Sequence, residues 1–317
     1  MPLWSNMVVH EKWNVLVCDP VDGVLIDGLK DRGLIVEYKP SITPDDLAAS
    51  IGKFHVVVVR SRTKLTASVL SSASSLKIIA RAGIGTDNID TEYTSRHGIS
   101  IVTAAGSSTH SVAELNISLL TMLARNLNSL AEKTKNGNWQ KSSGTELYGK
   151  TAGIIGMGRI GFATASILSA MGMRVIAFDP VVNMEFIEKI HGEYLDLDTI
   201  LSLSDVIFVL ANLTDGGKDM LNALHFSRMK QGVFIVNTSR AEFINGNDLF
   251  AALKSGKIGG YAADVFWHEP PVEPWEKELI SMNNVIVTPH IGAQTYEAQR
   301  KVAEYTLSNL FKKMEEI

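Results

Sequence analysis

The chain has one cysteine, Cys18, in 317 residues. A single thiol excludes an internal disulfide framework and a cysteine-built metal cluster, and no metal is expected. Cys18 closes the apolar run Val15-Leu16-Val17-Cys18, which reads as a buried strand thiol rather than a nucleophile. Long hydrophobic runs are missing too. No stretch approaches the ~20 apolar residues of a membrane span. Met1 to Asn14 lacks a basic segment followed by an apolar core, so no signal peptide and a cytoplasmic location are expected. Excess charge of either sign is also lacking. A net charge of −4 marks no general nucleic-acid partner. No fixed repeat and no low-complexity tract stands out.

What is present is alternation. The composition, 45% hydrophobic and 20% charged, is that of a globular protein, and the length suggests about two domains. Asn14 to Cys18, His55 to Val59, Leu76 to Ala80 and Ile99 to Thr103 are short apolar runs suited to buried parallel strands. Ser111-Val112-Ala113-Glu114 spells a capping box ahead of a long helix from about Val112 to Leu127. Asn136-Gly137-Asn138 breaks the helix after it. From Thr151 strands recur at Ala152 to Ile155, Arg174 to Phe178, Val206 to Leu210, Val233 to Asn237, Gly260 to Asp264 and Val285 to Thr288. Helical stretches separate most of them, and Tyr296 to Lys312 reads as a final helix. The expected class is α/β with doubly wound parallel sheets.

Gly156-Met157-Gly158-Arg159-Ile160-Gly161 follows a strand and opens a helix, as a dinucleotide-binding turn does. Gly156 serves the tight turn, Gly158 the close approach of a pyrophosphate, and Gly161 the packing of helix on strand. The next strand ends at Asp179, where a carboxylate binds the adenosine ribose and repels a 2′-phosphate. No Arg or Lys follows until Lys189, so NAD is favoured over NADP. Three polar residues stand just after late strands: Arg240, Glu269 and His290. Ligands of open α/β sheets bind at such strand ends.

Together these strings resemble the D-2-hydroxyacid dehydrogenase family: Gly156 to Gly161, Asn237-Thr238-Ser239-Arg240, Asp264-Val265-Phe266 with Glu269-Pro270, and Pro289-His290-Ile291-Gly292. The resemblance runs over nearly the whole chain in the family's motif order. Val59 to Thr63, Arg81 to Asp90 and Gly292 to Thr295 look like its phosphoglycerate dehydrogenase branch. The resemblance implies a flavodoxin-like substrate domain, residues 1–103 and 289–317, with a Rossmann NAD-binding domain, residues 104–288, inserted in it. It implies His290 as general acid and base, Glu269 as the partner of its ring, and Arg240 as the holder of the substrate carboxylate. Asp264 would accept from the nicotinamide carboxamide. Thr238, Ser239, Gly292 and Ala293 would line the nicotinamide end, Ala211 the adenosine side, and Arg159 and Ile160 the pyrophosphate. The substrate set would be Ile84 and Gly85 for the carboxylate, with Arg60, Arg62, Arg81 and Lys141 for a phosphate.

The implied reaction is NAD-dependent oxidation of 3-phospho-D-glycerate to 3-phosphohydroxypyruvate, in serine biosynthesis. The alternative is a glyoxylate, hydroxypyruvate or other D-2-hydroxyacid reductase. A catalytically inactive NAD-sensing relative is the third reading, and the presence of Arg240, Glu269 and His290 opposes it. Three strings depart from the family's common pattern: Leu210-Ala211-Asn212-Leu213, Arg240-Ala241-Glu242 and Thr103-Ala104-Ala105. With nothing after the last helix, a short form without an appended serine-binding domain is expected. A homodimer or higher homo-oligomer built around the Val112 to Leu127 helix is implied, with Lys141 reaching a neighbouring site.

Overall fold

The structure is a computed structural model that describes residues 13–212 and 217–317. The N-terminal reading of residues 1–12, and Leu213 in the string after Val209, lie outside the described residues. The chain divides into two compact units, Met1–Ser108 with Gln294–Ile317, and Thr109–Ala293.

The first unit is a five-stranded parallel sheet of β1 (Asn14–Val17), β2 (Ile35–Tyr38), β3 (Val56–Val59), β4 (Ile78–Arg81) and β5 (Ser100–Thr103). Its order is β2-β1-β3-β4-β5, the flavodoxin-like order, which switches direction between β1 and β3. β1 and β3 are apolar on both faces because helices cover both. One face packs Val15, Val56 and Ile78 with Leu307, Leu310 and Phe311 of the helix Tyr296–Glu315. The other packs Leu16, Val57 and Ile79 with Leu47, Ile51 and Leu70.

The second unit is a seven-stranded parallel sheet of β6 (Thr151–Ile155), β7 (Arg174–Phe178), β8 (Glu193–Tyr194), β9 (Val206–Val209), β10 (Val233–Asn237), β11 (Ile258–Ala263) and β12 (Val285–Val287). Its order, β12-β11-β10-β9-β6-β7-β8, is the Rossmann order with one further strand, and it switches between β6 and β9. Leu119, Leu120 and Leu123 of the helix Thr109–Arg125 fill one face with Ile154, Phe208 and Val236. Ile155, Ile207, Ile235 and Tyr261 make the other.

The helix expected from about Val112 to Leu127 starts at Thr109 and stops at Arg125, where Asn126 turns to φ 51°. A second helix, Leu127–Lys135, follows and has no buried residue. The expected capping box does not form. Ser111 lies inside the first turn, and its hydroxyl donates instead to the Gly292 carbonyl at 2.6 Å.

Candidate active site

The glycine turn is built as its spacing demands. Gly156 follows β6 at φ 100°, and a Cβ there would strike the Ala211 backbone. A Cβ at Gly161 would strike the Gly156 carbonyl oxygen and lift the helix Arg159–Ala170 off its strand. At Gly158 a Cβ would meet nothing within 4 Å. Protein packing therefore makes no demand at 158; the open space lies over the N-terminus of a 12-residue helix, where backbone amides and the helix dipole favour an anion. A pyrophosphate fits that cradle. Asp179 stands after β7 beside it, with Oδ2 accepting from Met157 N at 2.8 Å and Oδ1 from Val181 N at 2.8 Å. The acid is thus both a turn residue and a brace of the glycine loop, and each oxygen keeps acceptor capacity.

Arg240 is presented by a turn that closes on itself. Asn237, fully buried at the end of β10, donates to Arg240 O at 2.9 Å and accepts from Ser239 N at 3.0 Å. Thr238 donates to Asn116 at 2.7 Å, and Asn116 donates to Thr164 at 3.0 Å. Ser239 donates to the Ala211 carbonyl, joining the ends of β9 and β10. Asn116 was not read from the sequence as a site support. Its signal is a polar residue within the apolar face Val112, Ala113, Leu119, Leu120, Leu123.

His290 sits at φ 55°, a left-handed conformation uncommon outside glycine. Its Nδ1 lies 3.1 Å from Oε2 and 3.2 Å from Oε1 of Glu269. Glu269 also accepts from Phe266 N at 3.1 Å. The loop is held from below by Asp264, 2% exposed, which accepts from Thr288 Oγ1 at 2.6 Å, Ile291 N at 2.7 Å and Gly292 N at 2.6 Å. Asp264 was expected to meet the carboxamide; in the structure three of its roughly four acceptor positions hold the His290 loop. These bonds join Ile291 and Gly292 to Asp264 within the seven-stranded unit, which runs to Ala293.

The electrostatics follow. The hydrogen bond to Glu269 raises the proton affinity of His290, outweighing burial, with the charges of Glu269 and Asp264 adding and Arg240 opposing. Burial pushes Glu269 up, but the His290 hydrogen bond and charge and the Phe266 amide together leave it below the usual carboxylate range. Burial leaves Asp264 above that range despite its donors.

In the five-stranded unit Asp19, buried after β1, accepts from Arg60 N at 2.5 Å, Arg62 Nε at 3.0 Å and Thr63 Oγ1 at 2.7 Å. Arg62 also donates to Cys18 O at 2.6 Å, so its guanidinium is engaged as a strut. Arg60 donates to Pro20 O at 3.3 Å, and burial lowers its proton affinity against the pull of Asp19. Arg81 donates to Ala82 O at 3.2 Å, and Ile84 and Gly85 follow in the loop after β4. Lys141 lies in the exposed segment after the helix Leu127–Lys135. The substrate set Arg60, Arg62, Arg81, Ile84 and Gly85 belongs to one unit, and Arg240, Glu269, His290 and the glycine loop to the other. Among the described residues no group of three or more His, Cys, Asp or Glu side chains is placed to hold a metal, and no helix is long and apolar enough to cross a membrane.

A glycine turn, an acid braced beside it and an imidazole–carboxylate pair at later strand ends define the nucleotide-binding half of a dehydrogenase. The profile of the D-isomer specific 2-hydroxyacid dehydrogenase NAD binding domain matches residues 117–292. The D-3-phosphoglycerate dehydrogenase of Archaeoglobus fulgidus is 40% identical over 290 residues, 91% of this chain and 55% of its own length. The hydroxypyruvate reductase of Thermotoga maritima is 39% identical over 305 residues, 96% of this chain and 99% of its own. The crystal structure of D-lactate dehydrogenase from Aquifex aeolicus with NAD and lactic acid has a TM-score of 0.84 at 28% identity, covering 96% of each chain. The chain belongs to the D-2-hydroxyacid dehydrogenase family, and its cofactor is NAD. It spans about half the length of the phosphoglycerate dehydrogenases it matches.

Proposed function

We propose that the chain catalyses NAD-dependent oxidation of 3-phospho-D-glycerate to 3-phosphohydroxypyruvate. The observation that carries the reaction type is the Glu269-backed imidazole of His290, on the same unit as the glycine cradle and Arg240. The Archaeoglobus relative supports the substrate. In the oxidation the substrate's C2 hydroxyl gives its proton to His290 Nε2, while Nδ1 stays on Glu269. Bound NAD would supply the acceptor for the hydride leaving C2. In reduction His290 returns the proton to the 2-oxo oxygen. Arg240 grips the substrate carboxylate through its planar fork and polarises the reacting oxygen. Arg159 and Ile160 offer backbone amides to the pyrophosphate, and Asp179 takes the ribose hydroxyls. Thr238, Ser239, Gly292 and Ala293 border the nicotinamide, and Ala211 the adenosine side.

The five-stranded unit is the substrate domain in this reading. Ile84 and Gly85 meet the carboxylate; Arg60, Arg62 and Arg81, with Lys141 of the seven-stranded unit, are the candidates for the phosphate. The second reading, hydroxypyruvate reduction, is favoured by the Thermotoga relative, which is matched over 99% of its length. The assembly is a homodimer or higher homo-oligomer. Its support is the helix Leu127–Lys135 without a buried residue and the 81% exposure of Trp139 beyond it. The working place is the cytoplasm, as suits a metabolic enzyme.

A substrate panel with saturating NAD or NADP, in both directions, tests the assignment. The first reading requires kcat/KM for 3-phospho-D-glycerate and 3-phosphohydroxypyruvate at least tenfold above that for the unphosphorylated acids. The reverse preference assigns the chain to the second.

A further inference from the structure

Glu269 stands in a difficult stretch of chain. Pro270 and Pro271 follow it, and neither has an amide hydrogen with which to close the turn. The Glu269 carboxylate must nevertheless stay within hydrogen-bond reach of His290.

Glu276 supplies what the prolines lack. It lies in the first turn of the helix Pro274–Ser281 and is fully buried. Its Oε1 accepts from His268 Nδ1 at 2.9 Å, and its Oε2 from Val272 N at 2.9 Å and Glu273 N at 2.9 Å. A capping box accounts for the Glu273 bond alone. His268 and Val272 are the residues on either side of Glu269-Pro270-Pro271. One buried carboxylate therefore fastens both ends of the tripeptide that carries Glu269. A second fastening supports it. Trp267 donates from its indole to Ile244 O at 3.1 Å, and its ring stands edge-on to Trp275 at 5.1 Å. Trp275 in turn packs on Gly246, where any Cβ would strike its ring.

We propose that Glu276 is a positioning residue: it holds the Glu269 turn, and through Glu269 it sets the protonation of His290. The inference rests on the acid–base reading of Glu269 and His290. Glu276 touches neither reacting atom. The charged groups facing His290 are Glu269, Asp264 and Arg240. Glu276 faces His268. When the turn loosens, Glu269 drifts, the bond that raises His290 weakens, and the imidazolium is lost at lower pH.

The test compares Glu276→Gln, Glu269→Gln and His268→Ala in the full chain, measuring kcat for reduction of 3-phosphohydroxypyruvate and hydroxypyruvate against pH. NADH binding is followed by fluorescence. Glu269→Gln is expected to move the basic limb to lower pH by about one unit. Glu276→Gln is expected to move it the same way by at least half as much, lower kcat about tenfold and leave NADH affinity unchanged. His268→Ala removes one of the three bonds at a half-exposed ring and gives a smaller shift, which keeps the test decisive if Glu276→Gln does not fold. If Glu269→Gln leaves the limb in place, the acid–base reading itself fails. If Glu269→Gln moves it but Glu276→Gln and His268→Ala lower only the melting temperature, Glu276 is a helix cap and the inference is overturned.

Discussion

His290 shows how a single side chain joins geometry to pH. With Nδ1 committed to Glu269, the proposed role leaves Nε2 to exchange a proton with substrate. His290→Ala should lower kcat by about 10²–10⁴-fold while NADH affinity stays nearly intact, and unchanged turnover would remove the residue from this role. The sign of the pH dependence follows from the raised proton affinity. In the proposed mechanism reduction uses the imidazolium, so it should persist above the ordinary histidine pKa of about 6.5 and fall as pH passes the raised value. Oxidation needs the neutral ring and should rise over the same interval. The placement of the candidates Arg240, Glu269 and His290 was legible in the sequence because each follows an apolar run at a strand's carboxyl end. Asp19, Asn116 and Glu276 were not, since their work is done across 41, 122 and eight residues of chain, by bonds that no local spacing announces.

At the level of elements, the second and third glycines of the turn, Gly158 and Gly161, serve different ends, and mutation can separate them. Gly161→Ala must displace a helix from its strand, so it should destabilise the fold by about 1–3 kcal/mol and weaken NAD binding as well. Gly158→Ala projects into open space, so thermal melting without cofactor should be nearly unchanged while NADH affinity falls. Equal losses in both variants, read by melting and by NADH titration, would contradict this division. Buried strands were the legible elements. β7 and β10 fall on the residues their apolar runs marked, because a β-branched run covered on both faces has no competing reading. β2 and β8 went unread. Both are edge strands, exposed or half-exposed, so they carry little apolar signal. The Ser111 capping box failed because the helix starts at Thr109, which puts Ser111 inside its first turn, and the hydroxyl has a partner in Gly292.

For the whole molecule, the proposed assembly has a quantitative test. If Lys141 serves the site of a neighbouring subunit, Lys141→Ala and His290→Ala chains are each nearly inactive alone. Mixed and reassembled in equal amounts, they should recover about a quarter of wild-type activity, because half the dimers are mixed and each mixed dimer holds one intact site. No recovery, with mixed dimers verified by mass, would place Lys141 in its own subunit's business or in none.

Under the proposed mechanism, the backbone of His290 sets catalysis and stability against each other. A left-handed conformation costs a side-chain-bearing residue about 1–2 kcal/mol that glycine would not incur. The three donors gathered on Asp264 hold the loop in that shape regardless. The backbone at this position would thus be less strained with a glycine where the proposed reaction uses an imidazole, and under that proposal sequence variation that favours durability here works against turnover.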